Sequence, residues 1–260
     1  MSQTLSGAEQ GKFSAAKAAT VFVKDGMKVG LGTGSTAAWL VKHLAEMVQN
    51  DGLRIQAAAT SVQTATLAME LGIKIQSLDE LGWLDVTIDG ADEFDRNFNL
   101  IKGGGGALLR EKIVARASDQ MIVIADITKD VATLGKFPLP VEVIPFGMDS
   151  SSTLIERALL DLGYQTAKPV LRERNGKAFV TDEGNHIFDL HLDTVLNPAV
   201  LSQTLNDIPG VVENGLFLNM CETVIIGYED GSSETRSLVD GALTSSRADN
   251  VENLFSDIGD

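Results

Sequence analysis

Short apolar segments alternate with helical segments through the first half of the chain. Small and apolar residues recur at helical spacing in Ala8–Phe22, Ala37–Met47, Ser61–Leu71 and Gly106–Ala117. The predicted strands are Met27–Leu31, Arg54–Ala59, Ile73–Ile75, Leu84–Ile88 and Met121–Ala125. Because parallel strands need long crossover connections, this alternation favours a parallel sheet covered by helices on both faces.

The pattern changes near Phe137–Pro140, where a smaller α+β domain is expected to begin. The predicted elements beyond it are a strand at Val141–Ile144, a helix at Ser152–Leu162, a hairpin of Ala178–Thr181 and His186–His191, a helix at Pro198–Leu205, and one or two strands in Val211–Tyr228. Residues 241–260 are polar, with four acidic residues and one arginine, and we expect a loose helix or tail there.

The charge and the cysteine content exclude several classes of protein. The 260 residues include 21 Lys and Arg against 36 Asp and Glu, a net charge of −15 at pH 7. This balance argues against a nucleic-acid partner, because such proteins usually present a basic face to phosphates. One cysteine, Cys221, excludes an internal disulfide framework and a zinc site built on several thiolates. Without a secretory signal pattern or a run of about 18–20 apolar residues, a soluble cytoplasmic protein with no membrane partner is expected.

A glycine-rich loop, Gly30-Leu31-Gly32-Thr33-Gly34-Ser35-Thr36, lies between a predicted strand and a predicted helix. Glycines let the backbone approach a ligand closely, and the N–H groups at a helix start favour an anion. The hydroxyl groups add donors, so a phosphate is the natural ligand. The dinucleotide-binding fingerprint is excluded, because Ser35 stands where its third glycine is required. A merely tight turn between strand and helix is the competing interpretation.

Three carboxylates follow the strand Leu84–Ile88, in the segment Asp89-Gly90-Ala91-Asp92-Glu93. Ligands of parallel α/β sheets bind beyond the carboxyl ends of the strands, which is where these acids are expected. Such a cluster fits acid–base chemistry, a divalent metal or a helix cap. A metal site usually recruits further acids or histidines, and the three histidines, His43, His186 and His191, show no ligand spacing. We therefore expect no metal, and a structural or surface role for each histidine.

A second glycine-rich segment, Lys102-Gly103-Gly104-Gly105-Gly106, precedes the predicted helix at Gly106–Ala117. Four consecutive glycines cost conformational entropy, so a tight constraint on the backbone is expected. Glu111 in the first turn of that helix either complements the helix dipole or acts as a base beside an anion-binding loop. Its charged neighbours Arg110 and Lys112 are expected to point away from it. Lys129 follows the strand Met121–Ala125 at another carboxyl-end loop.

Taken in order and spacing over residues 10–235, these segments resemble ribose-5-phosphate isomerase of the A type. The matching segments are Gly32–Ala37, Asp89–Glu93, Lys102–Gly105, Arg110–Lys112, Ile124–Asp126, Lys129, Leu134–Val143 and Ile208–Val212. The resemblance implies an α/β fold with a Rossmann-like parallel sheet, helices on both faces, and a smaller α+β (ferredoxin-like) domain. The domains are placed at 1–136, completed by about 212–240, and at 137–211, followed by the polar tail at 241–260, which extends beyond the usual end of the family.

The resemblance also implies an activity and the residues that carry it. Enzymes of this family interconvert ribose 5-phosphate and ribulose 5-phosphate in the pentose phosphate pathway, without a metal or cofactor. Glu111 matches the general base that moves a proton between C1 and C2 through a cis-enediolate. Lys102 and the amides of Gly103, Gly104 and Gly105 match groups near the substrate oxygens. Asp89 and Asp92 match residues that bind sugar hydroxyls and are implicated in ring opening.

The remaining substrate contacts follow from the same resemblance. The matching residues are Thr33, Gly34, Ser35, Thr36, Gly90, Ala91, Lys129 and, on a more variable helix, Lys12. The expected partner is a small-molecule sugar phosphate, in a homodimer or tetramer. Two alternatives remain open from the sequence: a sugar-phosphate sensor domain, and a related amino-sugar phosphate deaminase or CoA transferase. The sensor domains normally carry a basic DNA-binding segment, and the deaminase and transferase are disfavoured by the combination of Asp89, Asp92, Lys102 and Glu111.

Overall fold

The structure, a computed structural model, describes residues 5–239 and 242–249. Contacts within the chain divide it into two compact units. The first unit lies within Met1–Gly90, Val114–Asp130 and Met220–Asp260, and the second comprises Ala91–Ile113 and Val131–Asn219. The predicted first domain, residues 1–136, includes residues 91–113, which group with the second unit in the structure. The predicted domain boundaries stay a prediction.

The helices and strands follow the predicted order along most of the chain. The helices are α1 (Gly7–Ala19), α2 (Ser35–Asn50), α3 (Val62–Glu70), α4 (Leu78–Leu81), α5 (Leu108–Arg116), α6 (Met148–Asp161) and α7 (Pro198–Asn206). The strands are β1 (Lys28–Leu31), β2 (Gln56–Ala59), β3 (Val86–Gly90), β4 (Glu93–Phe94), β5 (Leu100–Ile101), β6 (Met121–Asp126), β7 (Leu139–Val143), β8 (Pro169–Leu171), β9 (Glu173–Arg174), β10 (Lys177–Ala178), β11 (His186–Leu190), β12 (Val211–Asn214), β13 (Leu216–Phe217), β14 (Thr223–Gly227), β15 (Ser233–Val239) and β16 (Ala242–Ala248).

The first unit is built on a seven-stranded sheet with the strand order β16-β15-β14-β6-β3-β1-β2. The strands from β14 to β2 run parallel, which confirms the predicted parallel core of the sheet. Strands β15 and β16 extend it as antiparallel neighbours, so the complete sheet is mixed. The predicted strand Ile73–Ile75 is reduced to a single bridge between Ala57 and Ile75.

Helices cover both faces of this sheet, as the sequence predicts. Ala57 of β2 belongs to a buried cluster with Leu40 of α2. The next residue, Ala58, packs instead with Leu81 of α4 and Val114 of α5. Because successive residues of a strand point to opposite faces, these two clusters lie on opposite sides of the sheet. The described part of the chain contains no helix of the length and apolarity that a membrane span requires.

The second unit contains a four-stranded antiparallel sheet with the order β12-β7-β11-β8. Along the chain its elements run β7, α6, β8, β11, α7 and β12. This is the strand–helix–strand–strand–helix–strand order of a ferredoxin-like unit, as expected. A three-stranded sheet, β13-β5-β4, and a ribbon of β9 and β10 complete the unit.

The predicted hairpin of Ala178–Thr181 with His186–His191 is wrong in its pairing. The turn forms, because the Thr181 N–H donates to the Asn185 carbonyl at 2.9 Å. Strand β11, however, pairs with β7 and β8, while Lys177 and Ala178 pair with β9. Ile187, Phe188 and Leu190 of β11 are all buried, so the central place in the four-stranded sheet removes more apolar surface from water than a local hairpin.

The expectation of a polar C-terminal tail is wrong for residues 242–248, which form β16. All seven residues of this strand are exposed, and β16 pairs with β15 along its length from Ala242 to Ala248. The strand is held by backbone hydrogen bonds and not by a buried face, so its sequence shows no apolar alternation. Residue 241 and residues 250–260 of the predicted tail lie outside the described residues.

Candidate functional site

The first glycine loop and the end of β3 are held together within the first unit. The Gly32 N–H donates to the Ile88 carbonyl at 3.0 Å, and the Thr33 N–H donates to Asp89 Oδ1 at 3.0 Å. Asp89 is fully buried, and its Oδ1 also accepts from the Gly90 N–H at 2.7 Å. A Cβ on Gly32 would lie 2.1 Å from Asp89 Oδ1, so this contact requires glycine.

The loop then turns into helix α2 with its backbone available to a ligand. Gly34 is the residue before the helix, with φ of 109°, a conformation that side chains rarely adopt. Gly34 and Ser35 are exposed, and the first N–H groups of the helix are a favourable place for an anion. The Thr33 hydroxyl is used inside the protein, where it lies 2.7 Å from the Thr60 hydroxyl and donates to Ser61 Oγ at 2.8 Å.

The two predicted substrate lysines of the first unit have different surroundings. Lys129 ends a short 3₁₀ turn, Ile127–Lys129, that directly follows β6 and is capped by Asp126 through the Thr128 N–H. Lys12 lies on α1, and its Nζ is 2.6 Å from Glu9 Oε1. Hydrogen bonds from Lys12 and Trp39 lower the pKa of the Glu9 carboxyl below its ordinary value. Lys12 is therefore already neutralised by a carboxylate.

The second glycine-rich segment folds over Asp92 in the second unit. The Gly104 N–H donates to Asp92 Oδ2 at 2.7 Å, and a Cβ on Gly104 would lie 2.5 Å from Asp92 Oδ1. Gly103 and Gly106 have φ of 100° and 89°, and the Gly106 N–H donates to the Gly103 carbonyl at 2.9 Å. The run of glycines is therefore needed for both the turn and the close approach to the carboxylate.

A buried ion pair joins the lysine of this segment to the glutamate of α5. Lys102 Nζ lies 3.2 Å from Glu111 Oε1, and the two residues are only 2% and 4% exposed. A buried ammonium and a buried carboxylate are stable there because each compensates the charge of the other. The carboxylate can accept a proton, and the ammonium beside it can stabilise a developing negative oxygen.

The charged neighbours of Glu111 form ion pairs with carboxylates on other elements of the second unit. Arg110 pairs with Glu183 and with Asp182, the latter at 3.4 Å. Lys112 Nζ lies 2.8 Å from Glu213 Oε1 and donates to the Asn214 carbonyl at 2.6 Å. Both cations are thus compensated within the second unit by carboxylates other than Glu111.

Two residues of this region, Arg172 and Phe217, were missed by sequence reasoning. The Arg172 guanidinium donates to the Gly103 carbonyl at 2.8 Å and is paired with Asp189 of β11, so it supports the glycine turn. Phe217 places its ring near the Lys102 and Lys112 ammonium groups. Each lies more than sixty residues from its contact in the glycine segment, and no local sequence signal connects them. Glu93 accepts from the N–H groups of Gly135 and Phe137, a structural use of the third predicted acid.

The predicted site residues thus fall into two sets. In the first unit the structure brings Asp89 together with Thr33 and Gly90. In the second unit it brings Asp92 together with Gly104, and Lys102 together with Glu111. Within residues 5–239 and 242–249, no group of three or more His, Cys, Asp or Glu side chains is arranged to hold a metal ion.

Carried on an α/β fold, the anion-binding loops and the buried Lys102–Glu111 pair define an enzyme suited to proton transfer next to a negatively charged oxygen. Residues 56–231 match the sequence model of ribose 5-phosphate isomerase A, also described as phosphoriboisomerase A. The chain belongs to the ribose 5-phosphate isomerase A family, as its motifs indicate. Family membership decides against the sensor, deaminase and transferase alternatives.

Curated relatives are similar to this chain over its whole length. Ribose-5-phosphate isomerase A of Ruegeria sp. (strain TM1040) is 58% identical, and that of Ruegeria pomeroyi is 55% identical. Both alignments cover 100% of this chain and 100% of the relative. The residues after 240, expected to extend beyond the usual family end, are therefore included in these two relatives.

Solved structures of the family share the fold. Ribose 5-phosphate isomerase from Plasmodium falciparum has a TM-score of 0.79 and 32% identity, covering 92% of this chain and 98% of its own. Ribose 5-phosphate isomerase A from Methanocaldococcus jannaschii has a TM-score of 0.76 and 36% identity, covering 91% and 98%. A D-ribose-5-phosphate isomerase in complex with phospho-erythronic acid has a TM-score of 0.78 and 37% identity, covering 94% and 100%.

Proposed function

We propose that this protein interconverts D-ribose 5-phosphate and D-ribulose 5-phosphate in the non-oxidative pentose phosphate pathway, with Glu111 as the general base. Membership of the family supports the substrate and the reaction. The observation that carries the assignment of the base is the 3.2 Å contact between Glu111 Oε1 and Lys102 Nζ at a buried position. The reaction is proposed to need no metal and no cofactor.

In the proposed mechanism, Glu111 removes the proton from C2 of the open-chain aldose. The electrons of that C–H bond form a C1–C2 double bond, and the carbonyl electrons move to O1, which gives the cis-enediolate. The proton on O2 then moves to O1, which leaves the negative charge on O2. The carboxylic acid of Glu111 then returns its proton to C1, and O2 becomes the ketone. A positioned base contributes about 10²–10⁴-fold to the rate of such a step.

Lys102 is proposed to stabilise the negative charge that develops on the enediolate oxygens, together with the backbone amides of Gly103, Gly104 and Gly105. Fixed donors of this kind contribute several kcal/mol, because they need no reorganisation when the charge appears. The support for Lys102 is its near-complete burial, which excludes competing water and strengthens its electrostatic effect.

Asp89 and Asp92 are proposed to bind sugar hydroxyls and to assist opening of the furanose ring. Backbone N–H groups hold each carboxylate in place, those of Thr33 and Gly90 on Asp89 and that of Gly104 on Asp92. Such fixed carboxylates can accept a hydroxyl proton without a change of rotamer.

The remaining substrate contacts are proposed for two loops and two lysines. The residues concerned are Thr33, Gly34, Ser35, Thr36, Gly90, Ala91, Lys129 and Lys12. For Thr33 the contact is assigned to the backbone carbonyl, since its hydroxyl is engaged with Thr60 and Ser61 and its N–H donates to Asp89. Lys12 is the weakest member of the set, because its ammonium is paired with Glu9. A homodimer or tetramer in the cytoplasm is proposed from the family resemblance, and light scattering of the purified protein tests the assembly.

The proposed reaction is tested in deuterated water with ribose 5-phosphate and a metal chelator present. The expected result is ribulose 5-phosphate formation together with deuterium at C2 of the recovered aldose, because the base exchanges its proton with solvent between removal and return. If neither ketose nor deuterium is detected with or without the chelator, the proposed function is wrong. Activity that disappears only when the chelator is added would contradict the metal-independent mechanism alone.

A further inference from the structure

We infer that Phe217 is a positioning residue for the Lys102–Glu111 pair, within a short stretch, residues 213–217, that we call the support segment. The inference rests on the proposed function of Lys102 and Glu111. All the contacts that carry it lie within the second unit.

The support segment first fixes the backbone of Lys102. The Lys102 N–H donates to the Gly215 carbonyl at 2.9 Å, and the Gly215 N–H donates to the Pro140 carbonyl at 2.8 Å. A Cβ on Gly215 would lie 2.4 Å from the Lys102 carbonyl oxygen and 2.7 Å from Pro140 Cδ. Glycine is therefore required for this close approach, and the backbone of Lys102 is tied to β7 through the segment.

The segment also places an aromatic ring beside the lysine side chain. Strand β13 pairs with β5, so Phe217 lies opposite Leu100, two residues before Lys102. The Lys102 Nζ is 5.5 Å from the centre of the Phe217 ring, and the ring is fully buried. The attraction between a cation and an aromatic face grows when both are removed from water.

A second ammonium shares the same ring. Lys112 Nζ lies 4.8 Å from the ring centre, and the support segment holds it through Glu213 Oε1 at 2.8 Å and the Asn214 carbonyl at 2.6 Å. Two ammonium groups at one ring repel each other, so each needs its own anion. Glu213 serves Lys112, and Glu111 serves Lys102.

This arrangement controls the direction of both members of the pair. Lys112 follows Glu111 directly on α5, so anchoring Lys112 to the support segment fixes the rotation of the helix turn that carries Glu111. The ring attracts the Lys102 ammonium, and the anchored Lys112 ammonium repels it. The most favourable position for the Lys102 ammonium is therefore beside Glu111. The consequence is a fixed separation between the proposed base and the proposed stabilising cation, and such fixed geometry favours the transition state over the bound substrate.

The test compares Phe217→Leu with Phe94→Leu as a matched control. Phe94 of β4 lies opposite Leu100 on the other edge of β5, and both phenylalanines are almost fully buried in the same three-stranded sheet. The two substitutions therefore make the same change in side chain at two buried positions opposite the same residue of β5. Phe217→Leu is expected to lower kcat about tenfold with KM changed less than about twofold, and Phe94→Leu to keep kcat within about twofold of the parent.

Thermal unfolding of both variants establishes that they are folded at the assay temperature. Equal kcat values for the two folded variants, or a loss in Phe217→Leu confined to KM, would overturn the inference. A parent protein without isomerase activity would instead overturn the proposed function.

A second measurement does not depend on activity. In the parent labelled with ¹³C at lysine Cε, the ring current of Phe217 is expected to shift two lysine signals upfield, and both shifts are expected to disappear in Phe217→Leu and persist in Phe94→Leu. Absence of shifted signals in the parent would overturn the inference whatever the kinetics show.

Discussion

At the scale of single residues, the Glu111 carboxylate has two tasks that substitution can separate. Its Oε1 compensates the positive charge of Lys102, whose Nζ lies 3.2 Å away, and the carboxylate is proposed to take the substrate proton. Glu111→Gln keeps an oxygen for the lysine and removes the proton acceptor. We expect kcat to fall by about 10²–10⁴-fold with little change in KM.

The matched control for that prediction is Glu70→Gln, which changes an exposed glutamate at the end of α3. It is expected to retain the activity of the parent in the same coupled assay of ketose formation. Turnover of Glu111→Gln at the parental rate would remove Glu111 from the mechanism.

Glu142 is a buried carboxylate that the proposed reaction does not use. Its Oε1 accepts from the Thr181 hydroxyl and the Asn185 amide, each at 2.9 Å, while Oε2 has no hydrogen-bond partner among the residues that the structure describes. Burial raises the pKa of this carboxyl above its ordinary value of 4.5. The folded protein therefore holds a proton at pH values where the unfolded chain has released it.

The raised pKa of Glu142 makes its contribution to the free energy of unfolding decrease as pH rises. As pH rises from 4.5 through the raised pKa, the unfolded state ionises first, so the contribution of Glu142 to the free energy of unfolding decreases. Glu142→Gln cannot ionise and keeps the oxygen that accepts from Thr181 and Asn185. We expect the parent to lose stability relative to this variant as pH rises from 4.5 to 7, measured by urea unfolding at several pH values. Parallel stability curves would contradict the assignment.

At the scale of secondary-structure elements, the antiparallel extension of the main sheet is held by a polar network on β15. Arg236 pairs with Glu234 at 2.9 Å and with Asp130 at 2.6 Å. Glu234 also accepts from the Ser245 hydroxyl of β16 at 2.6 Å. The hydrogen bond from Arg236 lowers the pKa of the Glu234 carboxyl from 4.5 to about 2. Because Asp130 follows Lys129, this network also ties the Lys129 turn to β15.

The network predicts that Glu234 stabilises β15 and β16 at neutral pH and loses this effect in acid. A lowered carboxyl pKa contributes stability above the unfolded value of 4.5, and that contribution is lost as pH falls towards about 2. Glu234→Gln is expected to exchange the amide hydrogens of β15 and β16 faster than the parent at pH 7, with a smaller difference at lower pH. Glu229→Gln, at a nearby exposed carboxylate, serves as the control, and equal exchange in all three proteins would contradict the prediction.

Elements with an internal periodicity could be predicted, and elements defined by their partners could not. Helix α2 and strand β6 carry their apolar patterns locally and were predicted within a few residues. Strand β16 has no buried face, and the partners of β11 are distant in sequence, so neither arrangement leaves a local pattern. In the site, the glycine motifs indicate Lys102 and Glu111, but the contact of Phe217 with Lys102 depends on the pairing of β13 with β5.

At the scale of the whole molecule, the net charge of −15 opposes the approach of a phosphorylated substrate. The Debye length shortens from about 30 Å at 0.01 M salt to about 8 Å at 0.15 M. Added salt therefore weakens the effect of distant surface charges more than that of the charged groups that contact the ligand. We expect kcat/KM to rise about twofold between these concentrations of sodium chloride, with kcat unchanged. A continuous fall in kcat/KM over this range would show that local positive groups control the approach.

The division of the chain into two units has a consequence for how this protein can be altered. The second unit comprises two separate stretches of sequence, 91–113 and 131–219, and helix α5 begins in one unit and ends in the other. A single recombination breakpoint therefore cannot exchange the second unit between relatives. Any exchange that keeps α5 intact must also carry residues that pack in the first unit, so the two compact units cannot be exchanged as separate modules.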